Sequence, residues 1–332
     1  SDLDPEAGHA RRAAHLCKHD LVSQMVGEFP ELQGVMGGKY LLAEGEAREV
    51  ALAVLEHYLP RGAGDTLPSG EAGAVVAIAE RLELLLSIYA KGERPSGSSD
   101  PYALRRAGNG LLQILWQRGW RLDLKALLER CATHWAELFP AFPVEPSALS
   151  GELGEFMRQR IVSLLEEEGF APDLVQAVAG DAQQLARVLQ DPTDARRRAL
   201  LLRDLRASGE LAGVQAVVQR ASRLAEKGDL DPGICSAEGV VDPGLFDKAS
   251  EAAMLAVLDR LAPIVAGDTA DRYASLARGL ADSATALAAF FDGSDSVLVM
   301  ADDAAVRRNR LNLLAVLRNQ ASVLADFTRL SG

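Results

Sequence analysis

The sequence predicts an all-α fold, and three observations lead there. Ala, Leu, Val, Glu and Arg are abundant while aromatic residues supply only 5% of the chain, a bias toward side chains that lose little freedom in a helix. Apolar residues recur at spacings of three and four in segment after segment, the signature of one buried helical face. No segment alternates as a strand does; Val297–Met300 is apolar but too short to found a sheet.

The elements follow in order. Ala10, Ala13, Ala14, Cys17, Leu21 and Met25 place a helix over 7–25, broken at Phe29-Pro30 and followed by a turn at Met36-Gly37-Gly38. A second helix spans 44–58 and stops at Pro60; after the loop 60–70 a long one runs 71–90 and ends at Lys91-Gly92. Asp100 is a good N-cap with Pro101 at the first helical position, so 102–117 is a helix carrying Arg105 and Arg106 in its second turn. Another covers 124–138. The proline-rich stretch 140–151 marks a domain boundary. Beyond it come helices at 152–168, 172–179, 181–190, 194–206 and 211–227, then a loop with Asp-Pro-Gly turns at Asp231 and Asp242. The last three span 243–265, 271–291 and 303–330.

Bulk properties narrow the function classes. A chain of 332 residues exceeds one ordinary core. Its 48% apolar and 25% charged residues are those of a soluble globular protein. A net charge of −12 excludes a uniform basic field, so nucleic-acid contact must come from local arginine patches. Cys17, Cys131 and Cys235 are odd in number, far apart and without CxxC spacing, which fits a reducing cytosol and no disulfide framework. The best membrane candidate, 72–90, is interrupted by Glu80, Arg81 and Glu83. The chain opens on SDLDPEAG without an initiator Met or signal peptide, as a cut inside a longer protein would.

His19-Asp20 is the sharpest chemical candidate. Metal-dependent phosphohydrolases of the HD superfamily gather a His, an adjacent His-Asp pair and a further Asp around an ion that activates water. His15 and His19 stand four apart, on one face of the 7–25 helix, and His57 or Asp65 could complete the shell. The plainer alternative makes His19 an exposed helix residue and Asp20 a capping or salt-bridge partner.

Arginines supply the other candidates. Arg105 and Arg106 could hold an RNA phosphate bidentately, or pair with Asp65, Glu80 or Glu83. In the last helix Val306, Leu313, Leu314, Leu317, Ala321 and Leu324 share a face; Arg308 points away and Arg307 and Arg318 flank it. Arg310 falls inside that apolar stripe, where a charge is costly unless paired, so Asp292, Asp302 or Asp303 should hold it. Arg196, Arg203 and Arg206 lie along one side of the densest basic run and suit a phosphate track, with a solvated face as the alternative. No P-loop, GxGxxG, Ser-His-Asp set or synthetase ATP motif is present, and Trp116, Trp120 and Trp135 read as packing residues.

Four separated motifs carry a family resemblance. The segments AAHLCKHDLVSQMVGEFPELQGVMGGKY, EHYLPRGAGDTLPS, SSDPYALRRAGNGLLQIL and FFDGSDSVLVMADDAAVRRNRLNLLAVL stand in order across nearly the whole chain. Together they resemble the beta subunit of bacterial-type glycyl-tRNA synthetase. The resemblance implies the C-terminal half of that subunit, with an HD-like domain over 1–139, connecting helices over 140–212 and a DALR-type anticodon-binding bundle over 213–332. It implies a non-catalytic part of a cytoplasmic alpha2beta2 ligase that grips tRNA-Gly, with ATP and Mg at the alpha subunit and no cofactor or metal in this part. The arginines named above then become tRNA contacts: Arg105, Arg106, Arg196, Arg203, Arg206, Arg307, Arg308 and Arg318. His15, His19, Asp20, His57 and Asp65 become a vestigial metal site. One departure stands out: His19 occupies a position where a small residue is common, restoring the literal His-Asp pair. Two alternatives remain, an HD-type phosphohydrolase and a protein-protein module that docks the alpha subunit.

Overall fold

A computed structural model describes residues 5–180 and 182–331. Ser1–Asp4 of the opening stretch, Asp181 at the head of the helix predicted over 181–190, and Gly332 lie outside the described residues. The fold is all-α, and no strand occurs among the described residues. Two compact units divide the chain: residues 1–164 with 182–194, and residues 165–181 with 195–332.

The helices are α1 (Pro5–Leu16), α2 (Gln24–Glu28), α3 (Val35–Ala43), α4 (Arg48–Glu56), α5 (Glu71–Ala90), α6 (Leu104–Arg118), α7 (Leu124–Leu138), α8 (Pro146–Glu167), α9 (Pro172–Ala179), α10 (Ala182–Gln190), α11 (Pro192–Ser208) and α12 (Glu210–Ala225). They continue with α13 (Ala249–Ala266), α14 (Arg272–Asp282), α15 (Ala284–Phe291) and α16 (Ala304–Ser322). The proline-rich stretch 140–151 lies within the first unit, and the division expected at 212/213 falls in the first turn of α12.

In the first unit α1, α4, α6 and α7 surround α5. Its buried positions, Ala72, Ala74, Val76, Ala77, Leu82, Leu85 and Leu86, cover more than one face, which is why its sequence is nearly continuous in apolar residues. It ends where Gly92 takes φ 90°, a left-handed conformation that glycine adopts without steric penalty. Trp116 and Trp135 are buried here, their indole N–H groups donating to Pro192 O and Ser87 Oγ.

Several expectations change in this unit, and the helix expected over 44–58 is the shorter α4. The helix over 7–25 is broken: α1 stops at Leu16, Lys18 is left-handed at φ 68°, and His19–Val22 form a 3-10 turn. His15 and His19 therefore do not share a helix face. Met36-Gly37-Gly38 is no turn but the body of α3. A Cβ on Gly38 would stand 2.7 Å from Ala51 O and 2.8 Å from Leu55 Cβ, so both glycines serve close packing of α3 on α4. Finally, α6 starts at Leu104 because Asp100 caps it from farther back, its carboxylate accepting from Leu104 N and Arg105 N. Arg105 and Arg106 sit in its first turn. Helix α8, by contrast, begins earlier than 152, at Pro146, with Glu145 accepting from the N–H groups of Ser147 and Ala148.

In the second unit α12, α13 and α14 gather about α16. Helix α16 is buried on nearly every side from Asn309 to Leu317. Its polar residues reach carbonyls of the 231–242 loop, Asn312 donating to Val240 O, Asn319 to Asp231 O and Ile234 O, and Gln320 to Cys235 O, while Gln320 also donates to Leu258 O of α13. The 231–242 loop, poor in its own backbone bonds, is thereby satisfied. The helix predicted over 271–291 is two helices meeting at Ser283, whose buried hydroxyl bonds Leu280 O and competes with the helical ladder. Helix α13 begins at Ala249 rather than 243, after a 3-10 turn at Pro243–Leu245, and α16 ends at Ser322 rather than 330.

Candidate nucleic-acid interface

Asp20 is 1% exposed and is the hub of its segment. Its Oδ2 accepts from Gly34 N at 2.7 Å and Gly37 N at 2.9 Å, closing the 3-10 turn onto the start of α3. A Cβ on Gly37 would stand 3.1 Å from that carboxylate, so the glycine admits the acid. Lys18 leaves the helix to ion-pair with Glu80 at 2.7 Å.

The remaining metal candidates scatter. His15 lies exposed on α1, and Asp65 is exposed in its loop, accepting from Arg61 N and Thr66 N. His57 is fully buried with Nδ1 against Val54 O, and burial pushes its imidazole pKa down, favouring the neutral form. His19 points Nδ1 at Leu16 O. Buried atoms without a partner within the chain include His19 Nε2, Asp20 Oδ1 and His57 Nε2. Among the described residues, no group of three His, Cys, Asp or Glu side chains is arranged to hold a metal. The three cysteines are unbridged.

Arg105 and Arg106 pair with none of Asp65, Glu80 or Glu83. Arg105 is half-exposed, Arg106 is exposed, and among the described residues the only side-chain bond of the two is Arg106 Nη1 to Arg61 O at 3.5 Å. Arg61 itself donates to Glu31 O and Gln33 O. Arg81, read from the sequence merely as a charge interrupting an apolar helix, is buried and bonds the carbonyls of His57, Ala77, Tyr58 and Pro60. Burial brings its pKa down to about 10. The signal for it is Gly110 on α6, where a Cβ would meet Arg81 Nε at 2.6 Å.

In the second unit the proposed phosphate track is tied to acids. Arg196 pairs with Glu168 at 2.9 Å, Arg206 with Asp173 at 2.6 Å, and Arg203 meets Asp204 at 3.4 Å while lying 5.2 Å from the Phe170 ring centre. Arg198 of the same run is fully buried, reaching Leu324 O. On α16, Arg308 is exposed and has no polar partner among the described residues. Arg307 donates to Ala301 O and Asp302 O; Arg318 is half-buried against Asn319, and burial pushes its pKa down. Arg310 is paired, as its place in the apolar stripe requires, but its acids are Glu251 and Asp247, each at 2.8 Å, not Asp292, Asp302 or Asp303.

Asp173 is a second structural hub. It takes two hydrogen bonds from Arg206 and two from Ser331, tying the C-terminal residues to α9. The Arg206 guanidinium, set against a smaller opposing effect of burial, and the Ser331 bonds hold its carboxyl well below the usual range. A depressed folded-state pKa contributes stability above the unfolded value, about 3.9, and loses it as pH falls through the folded one. We therefore expect Asp173→Asn to speed amide exchange in residues 326–331 at neutral pH. Exchange equal to that of the unaltered chain would show the pair to be idle.

Fold and surface together define an all-α protein whose acidic chain carries a few arginines without acidic partners among the described residues, and whose Asp20 is bonded to the backbone. The chain belongs to the glycyl-tRNA synthetase beta subunit family, whose profile matches residues 2–180. It is 48% identical over 319 residues to the glycine–tRNA ligase beta subunit of Acaryochloris marina, covering 95% of this chain and 44% of that protein. The corresponding subunit of Picosynechococcus is 49% identical over 317 residues, with 95% and 44% covered. That of Neisseria meningitidis serogroup C is 39% identical over 331 residues, with 99% and 44% covered. The chain thus spans less than half the length of these curated relatives. No helix among the described residues is long and apolar enough to cross a membrane.

Proposed function

We propose that this chain is the tRNA-gripping part of a glycine–tRNA ligase beta subunit. It positions tRNA-Gly for ATP-dependent glycylation by the alpha subunit in the cytosol, within an alpha2beta2 assembly. It holds no catalytic residue of its own, and ATP and Mg act at the alpha subunit. The observation that carries this reading is that the half-exposed Arg105 and the exposed Arg106 and Arg308 have no carboxylate partner among the described residues, on a chain of net charge −12. A guanidinium kept free on an acidic surface is available to an RNA phosphate, and each such contact releases counter-ions. Arg307 and Arg318 extend the α16 surface. Arg196, Arg203 and Arg206 join only by exchanging a carboxylate for a phosphate, so they rank behind.

Filter binding of tRNA-Gly across a salt series tests the assignment. Arg105→Ala, Arg106→Ala and Arg308→Ala are each expected to weaken binding and to lower the salt slope by about 1. Unchanged affinity and slope for all three would remove these residues from the interface. The phosphohydrolase alternative requires His15, His19, Asp20 and His57 or Asp65 to converge, and their observed places speak against it.

A further inference from the structure

An open cleft of about 450 Å³ in the first unit is lined by Gln33, Tyr58, Arg61, Glu80, Arg81 and Arg106, with Pro60, Leu84 and Ala103 among its apolar walls. Its volume falls within the range of small-ligand sites, about 300–1,000 Å³. Three guanidiniums line it; among the described residues none forms an ion pair, and every hydrogen bond they make goes to a backbone carbonyl. The one lining carboxylate, Glu80, is bound by Lys18, which itself lies 5.5 Å from the Tyr58 ring centre. Asp65 stands outside the lining; the backbone N–H groups of Arg61 and Thr66 hold it, and it also feels the Arg61 charge, so with Lys18 counted the cations around the cleft still outnumber the acids. The cleft is therefore a local surplus of positive charge on an acidic chain.

We infer that this cleft binds a phosphate group. Arg81 is a fixed charge, anchored by four carbonyls and too buried to turn outward. Arg61 and Arg106 are the ligand-facing groups. A guanidinium carries five N–H donors; Arg106 uses one and Arg61 two, leaving forks that match two phosphate oxygens. The shared chemistry is a phosphate, carried either by an RNA backbone or by a free phosphorylated molecule. The inference goes beyond the tRNA reading, since it stands on the cleft and holds for either source.

The test is calorimetric titration of pyrophosphate into the 332-residue chain at constant ionic strength. One saturable site is expected, weakened roughly tenfold or more in Arg61→Gln/Arg106→Gln. The control Lys39→Gln/Arg48→Gln, which removes two exposed charges of the same unit outside the cleft, should bind as the unaltered chain does. Should the double variant fail to fold, Arg106→Gln alone decides, because its side chain makes only one bond, at 3.5 Å. No binding up to millimolar pyrophosphate, or equal binding by the variant, overturns the inference. Displacement by a short oligoribonucleotide assigns the phosphate to RNA; binding without displacement assigns it to a free ligand, and either supports the site. RNA binding with no pyrophosphate binding overturns the inference and leaves the tRNA reading intact.

Discussion

Asp20→Ala is expected to destabilise the first unit by roughly 3 kcal/mol, since it strands two buried backbone N–H groups that hydrogen-bond a carboxylate. The loss should be visible as a lower denaturant midpoint and as faster amide exchange at Gly34 and Gly37. Asp20→Asn keeps one oxygen able to accept both bonds, so its loss should be smaller. A metal-centre role predicts a different pattern, in which Asp20→Ala as well as Asp20→Asn keeps its midpoint and the change falls on metal affinity. An unchanged midpoint for Asp20→Ala would show that the carboxylate does not hold the 3-10 turn to α3. The His-Asp pair that announces an HD-type hydrolase in the sequence is, on this account, half of a backbone clasp.

The second large effect is expected at the ion pair beneath α16. The Glu251 side chain is fully buried and that of Arg310 is 6% exposed. Glu251 also accepts from Asp247 N and Lys248 N, so it caps α13 while neutralising α16. Removing Arg310 leaves Glu251 an uncompensated buried charge, and Arg310→Ala should cost about 3–5 kcal/mol; Glu251→Ala should cost less, because Asp247 still pairs with Arg310. Replacing both by apolar residues, Arg310→Met with Glu251→Leu, should recover much of that loss. Burial alone would raise the Glu251 carboxyl, but the hydrogen bonds from Arg310 and from the two N–H groups outweigh it and hold it below 4.5. The stabilisation is therefore complete above that pH and drains away as pH falls through the folded value. Acid titration of urea midpoints should show a shallower decline in the double variant than in the unaltered chain. Parallel declines would exclude Glu251 as a source of the pH dependence.

The two hubs show which kinds of statement a sequence supports. The bounds of α5, α7 and α9 agree with those predicted, because apolar spacing and flanking Gly or Pro are local features. That Arg310 must be paired was legible too, since the helical wheel puts it among leucines. Its partner was not: Glu251 lies 59 positions away, inside the helix expected over 243–265, and nothing in the sequence sets it apart from other helix acids. Gly37 and Gly38 read as a turn because glycine is rare inside helices, and only the approach of α4 explains them. The significance of Arg81 and Arg61 is hidden for the same reason, since it resides in backbone carbonyls 21 to 30 positions off.

From the residues alone come the all-α class, the arginines that an acidic chain leaves conspicuous, and four ordered motifs whose family the comparison establishes. Only the folded chain decides which arginines already have an acid, what Asp20 holds, and that Arg61, Arg81 and Arg106 line one cleft. The reason is range. Helix formation is governed by neighbours three and four residues apart, whereas a charge finds its counter-ion, and a glycine its neighbouring backbone, wherever packing brings distant segments together.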